Sequence, residues 1–542
     1  MKARWLAAGA AVTSLLLLTT GCVASQRGEG ASAGGTFVYG VSNEAVSLDP
    51  VYTQDMASGI PLAQIFEGLV GVEAGSVTPE PKLAKSWDIS SDGLIYTFEL
   101  QNGVNFQDGV AFDAKAVCAN FDRWYNLPES AQSANLAYYY GYFFRGFATG
   151  PTAGAGTYKS CAANGDEEAV ITLTRPFAGL IDALTMPQFA MQSPAALAQY
   201  QDDSATNPQT TSYATEHPTG TGPFSFVSWE RGKQITLKRN DDYWGDKAKV
   251  DRLVLMTMTD AKQRAAALRA GEINGADNVS PSDVSGLETD GYQAAVRPPF
   301  TLAFLGFNQK RPPLDDKRVR EAIAYAIDPE AIIKATMPDD TVAANQWVPR
   351  GMSGWNKDVT TYSHDLDKAK ELLAEAGAAG QTIELNYQTG GGSSCMPAPE
   401  DTLNIIRQQI EAAGLKVNPV GIPKSDYGSR IYGTEDHGLE MSCWIGQVNI
   451  PDSFLGLAFG FPSKEWGFDD PQLYADLAAA TTIASKDQQD ATYQEISDRL
   501  MRDILPGVPF ASAGSTIMLD PKVSGFVASP IAQEDFASVT LN

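Results

Sequence analysis

Short apolar runs rich in β-branched and aromatic residues alternate along the chain with segments of helical periodicity. Strands are predicted where the runs are short and flanked by polar residues. Helices are predicted where apolar residues recur three or four positions apart and glycine or Asp-Pro marks the ends. The predicted strands are 36–41, 94–100, 169–175, 234–240, 301–308, 382–388, 415–420 and 440–445, and the predicted helices are 260–270, 315–326, 366–376 and 401–413. This alternation predicts α/β domains that bind ligands at strand ends.

The first residues have the pattern of a secretory leader. Lys2 and Arg4 precede an apolar run, 5–18, which falls short of the roughly 20 residues that span a bilayer. The following Thr-Thr-Gly-Cys resembles a bacterial lipobox, which implies cleavage before Cys22 and a lipid on its sulfur. An ordinary signal peptide with an incidental cysteine is the alternative. We therefore predict a signal peptide over 1–21 and a lipidated cysteine with a flexible tether, rich in Gly, Ala and Ser, over 22–35.

Composition and charge limit the kinds of molecule that the protein is expected to bind. Of the 542 residues 43% are apolar and 19% charged, as in ordinary globular proteins with two or three domains. The formal charge of −25 opposes nucleic-acid binding, which needs Lys and Arg to neutralise phosphates. After the leader no apolar run is long enough to cross a membrane, so contact with the membrane is expected through the lipid alone.

The five cysteines indicate an oxidising compartment. If Cys22 carries lipid, four remain, and three pairings of them exist. We favour Cys118–Cys161 and Cys395–Cys443, since each pair lies within one region of the chain. Four unpaired core thiols are the alternative.

Motifs for catalysis are missing from the sequence. It contains no G-x-S-x-G, H-E-x-x-H or G-x-x-x-x-G-K-[ST] motif, and its three histidines are scattered at 217, 364 and 437. We therefore predict no enzyme, no cofactor and no protein-bound metal; a secreted hydrolase is the remote alternative.

Motifs spread over most of the chain resemble those of one receptor family. The matching segments are Leu83–Trp87, Ser91–Gly93, Gly103–Phe106, Gly220–Phe224, Asn240–Trp244, Ala270–Ile273, Val319–Ile323 and Ala369–Leu373. Together and in this order they resemble the peptide- and nickel-binding solute receptors of ABC importers, family 5.

The resemblance implies a two-lobed periplasmic-binding-protein-like fold of type II, with an extra inserted domain and a ligand cleft between the lobes. Lobe I is then expected at 36–68, 220–305 and 509–542, the inserted domain at 69–219 and lobe II at 306–508. Ligand held between the lobes favours a closed form, because only that form contacts it from both sides.

The resemblance also implies a ligand site. Peptide-binding members have a strand end with Trp, two residues, then an Asp that pairs with the ligand's α-amine; here Trp444 and Gly446 match and Gln447 takes the place of that Asp. An amide suits hydroxyls and amides better than a cation, and Glu44 is an alternative partner for an amine. Ligand contacts are expected from Asn43, Glu44, Trp347, Arg350, Trp444, Gly446, Gln447 and Asn449.

The resulting prediction is an extracytoplasmic lipoprotein on the outer face of a bacterial cell membrane that delivers a peptide to an ABC-transporter permease. An oligosaccharide or another polar uncharged solute is the alternative ligand. A monomer is expected, because each receptor of this family docks singly on its permease.

Overall fold

The computed structural model describes residues 34–133, 135–202, 207–389, 393 and 395–542. The predicted signal peptide, the lipidation site Cys22 and most of the predicted tether fall in 1–33, outside the described residues. In the described part of the chain, no helix is both long and apolar enough to cross a membrane.

The strands are numbered along the chain. They are β1 (Thr36–Val41), β2 (Val70–Val72), β3 (Pro79–Pro81), β4 (Ala84–Ile89), β5 (Ile95–Leu100), β6 (Tyr158–Asn164), β7 (Glu168–Leu173), β8 (Phe224–Glu230), β9 (Gln234–Arg239), β10 (Arg252–Thr257), β11 (Gly275–Ala276), β12 (Gln293–Val296), β13 (Thr301–Phe307), β14 (Val342–Ala343), β15 (Thr382–Thr389), β16 (Lys416–Pro423), β17 (Leu439–Ile445), β18 (Gly507–Ser512), β19 (Thr516–Leu519), β20 (Val523–Ser524) and β21 (Thr540–Leu541).

Many helices begin after an Asp or Ser whose side chain accepts a backbone N–H of the first turn, as Asp260, Asp328 and Ser485 do. The α-helices are α1 (Met56–Ile65), α2 (Ala114–Tyr125), α3 (Tyr138–Phe144), α4 (Leu180–Ala183), α5 (Pro194–Tyr200), α6 (Ser212–Thr215), α7 (Ala261–Arg269), α8 (Pro281–Thr289), α9 (Lys317–Ala326), α10 (Pro329–Thr336), α11 (Leu366–Glu375), α12 (Pro399–Ala413), α13 (Lys424–Ile431), α14 (Asp452–Phe459), α15 (Pro471–Ala480) and α16 (Lys486–Arg499). Short 3₁₀ helices lie at Pro50–Tyr52, Glu129–Ala131, Pro187–Phe189 and Pro208–Thr210, and a π turn at Leu500–Ile504.

The first lobe is built on a sheet with the strand order β12-β19-β11-β1-β10-β9-β8. β1 runs parallel to β10 and β11, with Tyr39 opposite Leu255 and Gly275. Its apolar side chains Phe37 and Tyr39 are fully buried against Phe536 from the last residues of the chain. The first lobe therefore needs both ends of the sequence.

The second lobe has the strand order β14-β18-β13-β17-β15-β16. β13 is buried at every position, because antiparallel β17 and β18 flank it on both sides. β15 runs parallel to both β16 and β17, so the carboxyl ends of these three strands lie at one edge. That edge is where an open α/β sheet places ligands.

The inserted domain has its own antiparallel sheet, β4-β5-β7-β6, and the two-stranded ribbon β2-β3. Its core is strongly aromatic, with Phe121 packing on Trp124 and Tyr158. The chain returns to the first lobe through Gly220 and Gly222, where a Cβ atom on either residue would collide with the backbone of 64–66. Only glycine permits this close approach.

The two disulfides are Cys118–Cys161 and Cys395–Cys443, which confirms the favoured pairing. The first joins α2 to β6 within the inserted domain, and the second joins β17 to the segment before α12 within the second lobe. Each bond therefore stabilises one domain and leaves the lobes free to move relative to each other.

Two crossing segments connect the lobes, 297–300 between β12 and β13 and 513–515 between β18 and β19. They run side by side: Arg297 N donates to Ser515 O at 3.1 Å, and Thr301 Oγ1 donates to Ala513 O at 2.8 Å. β13 and β18 both pair in the second sheet, and the predicted lobe boundaries at 305 and 509 fall within these two strands. Sequence pattern alone does not reveal which sheet a buried strand joins.

A buried ion cluster holds this crossing. The Arg297 guanidinium lies 2.6 Å from Asp277 Oδ1 and 2.7 Å from Glu534 Oε1, and all three side chains are at most 6% exposed. Arg297 also donates to Ser515 Oγ at 2.7 Å. One arginine thus connects the first crossing segment to the second and to the chain's last residues.

We expect Arg297→Met to lower the free energy of unfolding by about 3–5 kcal/mol, because two buried carboxylates lose their counter-charge. The measurement is a urea titration followed by circular dichroism. The control is Arg269→Met, which removes a half-exposed ion pair with Asp290 and should cost less than about 1 kcal/mol. Equal midpoints for the two variants would contradict a structural role for the cluster.

Candidate functional site

The candidate site begins where β17 ends. Trp444 pairs with Leu302 and Ile445 with Thr301, and the chain then leaves the sheet at Gly446. Gly446 N donates to Phe300 O at 2.9 Å, and a Cβ at this position would lie 2.5 Å from the Phe300 ring. Gly446 therefore turns the chain rather than offering a side chain to a ligand. The half-buried Trp444 packs against the second-lobe core.

Gln447 reaches from the second lobe to the first. Its Nε2 atom donates to the backbone oxygen of Gln54, which follows the first 3₁₀ helix of the first lobe, at 3.4 Å. This places the predicted site residue at the meeting of the two lobes. The side chain is half-buried and keeps its Oε1 acceptor.

The residues after Gln447 pack into the inserted domain. Val448 and Ile450 are 2% and 3% exposed and belong to the apolar core of that domain, although their chain segment comes from the second lobe. A Cβ on Gly179 of the inserted domain would lie 3.0 Å from Ile450 Cδ1. The second lobe therefore contacts both the first lobe and the inserted domain through one short segment, 446–452.

Asp452 adds a polar contact to the same interface. Tyr142 donates its hydroxyl to the Asp452 carboxylate and also lies 2.9 Å from the Asp452 backbone oxygen, and Arg145 Nη2 lies 3.3 Å from the carboxylate. Burial raises the pKa of Asp452, while Tyr142 and Arg145 act in the opposite direction. Both partners come from α3 and its C-cap, in an aromatic segment that sequence analysis left without a helix. Tyr138 and Tyr142 are four positions apart and half-buried, and this helical spacing is the signal in the sequence that could have indicated α3.

Asn43 and Glu44 lie on the first lobe after β1. Asn43 is exposed, and its Nδ2 donates to Ser42 Oγ. Glu44 Oε1 accepts from Trp229 Nε1 at 3.2 Å and from Gly232 N at 2.7 Å, so it stabilises the β8-β9 turn. One oxygen of this carboxylate is therefore already used within its own lobe.

Three further predicted site residues, Trp347, Arg350 and Asn449, have contacts within the second lobe. Trp347 is 4% exposed and packs edge-on against Phe304 and Phe459, with ring centroids 5.0 and 4.9 Å apart. Trp347 is therefore a core residue. The sequence did not reveal this, because an irregular segment has no periodic pattern that indicates burial. Arg350 is exposed, with its guanidinium 5.3 Å from the Trp355 ring centroid. Asn449 Oδ1 accepts from Ser353 N at 3.0 Å and positions that loop.

The buried Glu440, on the strand that leads to Gln447, forms a pair with the half-buried Glu465. Glu440 on β17 is 1% exposed and faces Glu465. Burial raises the pKa of Glu440 well above its ordinary range and that of Glu465 to about 7. His437 Nε2 lies 3.0 Å from the backbone oxygen of Glu465. The pair is therefore most stable with at least one proton bound.

Among the residues that the structure describes, no group of three or more His, Cys, Asp or Glu side chains is arranged to hold a metal ion. The geometry is that of two lobes joined by paired crossing segments, with a strand-end segment that meets the opposite lobe. This is the type II periplasmic-binding-protein fold, a class of solute receptors.

Comparison with known proteins identifies the family. The model of the bacterial extracellular solute-binding proteins, family 5 (Middle), matches residues 78–465. The chain is 28% identical over 527 residues to heme-binding protein A of Haemophilus influenzae, covering 94% of this chain and 93% of that protein. It is 28% identical over 498 residues to the dipeptide-binding protein of Escherichia coli, covering 90% of each. The chain belongs to family 5 of the bacterial extracellular solute-binding proteins.

Solved structures agree with this assignment. HbpA2 from Haemophilus parasuis has a TM-score of 0.77 at 28% identity, covering 94% of this chain and all of its own. DppA from Helicobacter pylori, in complex with the peptide STSA, has a TM-score of 0.70 at 26% identity, with 94% and 98% covered. The predicted fold class is thereby confirmed.

We expect Glu440→Gln to raise the melting temperature at pH 8 and to change it less at pH 5. Because the pKa of this pair is raised in the folded state, the unfolded chain loses its protons first as the pH rises, and stability falls between about pH 4.5 and 7. The amide removes one of the two buried charges. Calorimetry at both pH values is the measurement, with the exposed Glu272→Gln as control. A lower melting temperature at pH 8 would contradict this assignment.

Proposed function

We propose that this protein is the solute receptor of an ABC importer, that it captures a peptide between its two lobes, and that it delivers the peptide to a membrane permease. The observation that carries the proposal is the contact of Gln447 with Gln54, at the strand end of one lobe and against the other lobe. A solute bound here contacts both lobes and stabilises the closed form. No catalytic step is part of the proposal.

The names of relatives support a peptide as ligand. Besides the dipeptide-binding protein of Escherichia coli, the chain is 29% identical over 518 residues to di/tripeptide-binding protein 2 of Pseudomonas aeruginosa. Other relatives are named for glutathione, itself a modified tripeptide, and for heme. The family therefore accommodates several solutes on one fold, and the residues of this chain must select among them.

Gln447 is the selecting residue in this proposal. A buried ammonium group without a carboxylate partner costs free energy, whereas an amide binds hydroxyl and amide groups without charge. We therefore propose that the receptor holds its peptide without an ion pair at the α-amine. The same amide is compatible with an oligosaccharide, which is the alternative ligand.

Asp452 does not supply the missing charge in this proposal. Its carboxylate is already engaged by Tyr142 and Arg145 at the interface with the inserted domain. Glu44 shares one oxygen with Trp229 and Gly232. Asp452 is therefore committed to the interface with the inserted domain, and Glu44 is committed through one of its two oxygens.

We expect wild-type protein, without residues 1–33, to show equal thermal shifts with a free-amine peptide and its N-acetylated form. Gln447→Asp should favour the free amine by about tenfold, because a carboxylate adds a charge-assisted hydrogen bond. Ligand at 100 times its dissociation constant adds about 2.7 kcal/mol of stability, which a melting curve resolves.

The matched control is Gln263→Asp, which makes the same change at an exposed position on α7. Wild-type protein that prefers the free amine would contradict the role given to Gln447. Thermal shifts with oligosaccharides but not with peptides would move the protein to the alternative ligand class.

We also propose that Cys22 carries a lipid that tethers the protein to the outer face of the cell membrane, where it acts as a monomer. Cys22→Ser should move the protein from the membrane fraction to the soluble extracytoplasmic fraction, because the variant lacks the sulfur that carries the proposed lipid. Fractionation of cells that express the full chain, followed by immunoblotting, is the measurement. Retention of the variant in the membrane fraction would contradict the anchor.

A further inference from the structure

The inserted domain packs against the second lobe over a surface that differs from the contact of Gln447 with the first lobe. The turn between β4 and β5 meets the loop between α15 and α16, since a Cβ atom on Gly93 would lie 3.0 Å from the Cβ of Ala484. A cavity of about 20 Å³, room for one water molecule, remains between the two domains, with Phe177 on one side and Ile450 on the other. The two surfaces therefore fit each other closely.

Polar side chains from both domains meet on this surface. Asp452 begins α14 of the second lobe, and its side chain is 7% exposed. It accepts the hydroxyl of Tyr142 and lies 3.3 Å from Nη2 of Arg145, both from the inserted domain. Tyr493, on α16, is fully buried beside the same carboxyl group. The buried carboxylate depends on these contacts, because a buried charge that loses its partners is strongly destabilising.

In the proposed function, these contacts form when the lobes close and break when the lobes open for solute exchange. On opening, Asp452 exchanges its partners on the inserted domain for water. The apparent dissociation constant of a solute equals that of the binding-competent form divided by the fraction of molecules in that form. Contacts that stabilise the closed form therefore raise the affinity for solute, even when they touch no solute themselves.

We propose that Tyr142, Arg145 and Asp452 form a latch that sets how tightly the receptor holds every solute it captures, by stabilising the closed form. The inference rests on the proposed function and names residues that determine its affinity. Gln447 selects among solutes, whereas the latch contributes the same free energy of closure for each of them. The three are positioning residues, and through them the inserted domain takes part in capture.

The experiment measures binding of Ala-Ala, Ala-Ala-Ala and Ala-Phe-Ala by calorimetry, to protein without residues 1–33. Tyr142→Phe removes the hydroxyl donor and leaves the ring in place. The dissociation constant of each peptide that wild-type protein binds should rise by about tenfold, because a hydrogen bond to a carboxylate is lost from the closed form alone. The ratios between the dissociation constants of the peptides should stay within about twofold of wild type.

Tyr158→Phe is the matched control. Tyr158 also lies in the inserted domain and donates its hydroxyl to a carboxylate, Asp122 Oδ1 at 2.7 Å, but here both partners belong to the same domain. This variant loses the same kind of hydrogen bond from the open and the closed form alike. It should lower the melting temperature and leave each dissociation constant within about twofold of wild type.

A second variant opposes closure without removing any contact of the latch. Ala484 is exposed in the loop between α15 and α16, so Ala484→Trp is expected to fold as wild type does. In the closed form its indole would overlap the turn at Gly93, and every peptide should bind at least about tenfold more weakly. Its control is Ala379→Trp, in the exposed turn before β15, at the end of the second sheet away from Gln447; this variant should bind as wild type does.

The outcomes separate the two proposals. If wild-type protein binds none of the peptides, the proposed function fails and this inference fails with it. If either folded variant, Tyr142→Phe or Ala484→Trp, binds peptides as wild type does, the latch is refuted and the proposed function stands. A loss of affinity that differs between peptides by more than about twofold would also refute the latch, because the substituted residues would then contact the solute itself.

Discussion

The arrangement of the two lobes depends on a single buried arginine. Arg297 lies on the first crossing segment, bonds the second through Ser515 and binds carboxylates from the 277 loop and from the chain's last residues. A buried charge of this kind is strongly destabilising when its counter-charges are removed, so the positions of Asp277 and Glu534 beside Arg297 are constrained. The two crossing segments adjoin β13 and β18 of the second sheet. β17, which ends at the candidate site, pairs with β13 in that sheet.

The contact of the second lobe with the rest of the protein also depends on the segment 446–452, which makes three different contacts in seven residues. Gln447 meets the first lobe, Val448 and Ile450 enter the inserted domain's core, and Asp452 binds Tyr142. In the proposed function, opening for solute exchange separates these contacts, while the disulfides and the crossing segments stay intact. If Gln447 binds solute as proposed, the same segment takes part in recognition and in closure, and a substitution within it affects both.

Most of the fold was predictable from sequence. β1 matches the predicted 36–41, and β13, β17 and α11 differ from prediction by a residue. Periodicity and caps are local signals, so they locate elements well. Sheet membership is not local, which is why the predicted boundaries at 305 and 509 fall within β13 and β18.

The position of β19 has a consequence for synthesis and export. β19 lies between β12 and β11, and these two strands have no pairing with each other in the first sheet. A chain emerging amino end first can complete the inserted domain and most of the second lobe, but its first sheet stays open until residues 516–519 arrive. β1 finds its partners β10 and β11 by residue 276, but β12 has no partner in the sheet until β19 arrives, and a chain lacking β19 would expose unpaired strand edges that invite proteolysis or aggregation. Closure of the first sheet therefore joins strands that lie more than 200 residues apart in the chain, β11 at 275–276 and β19 at 516–519.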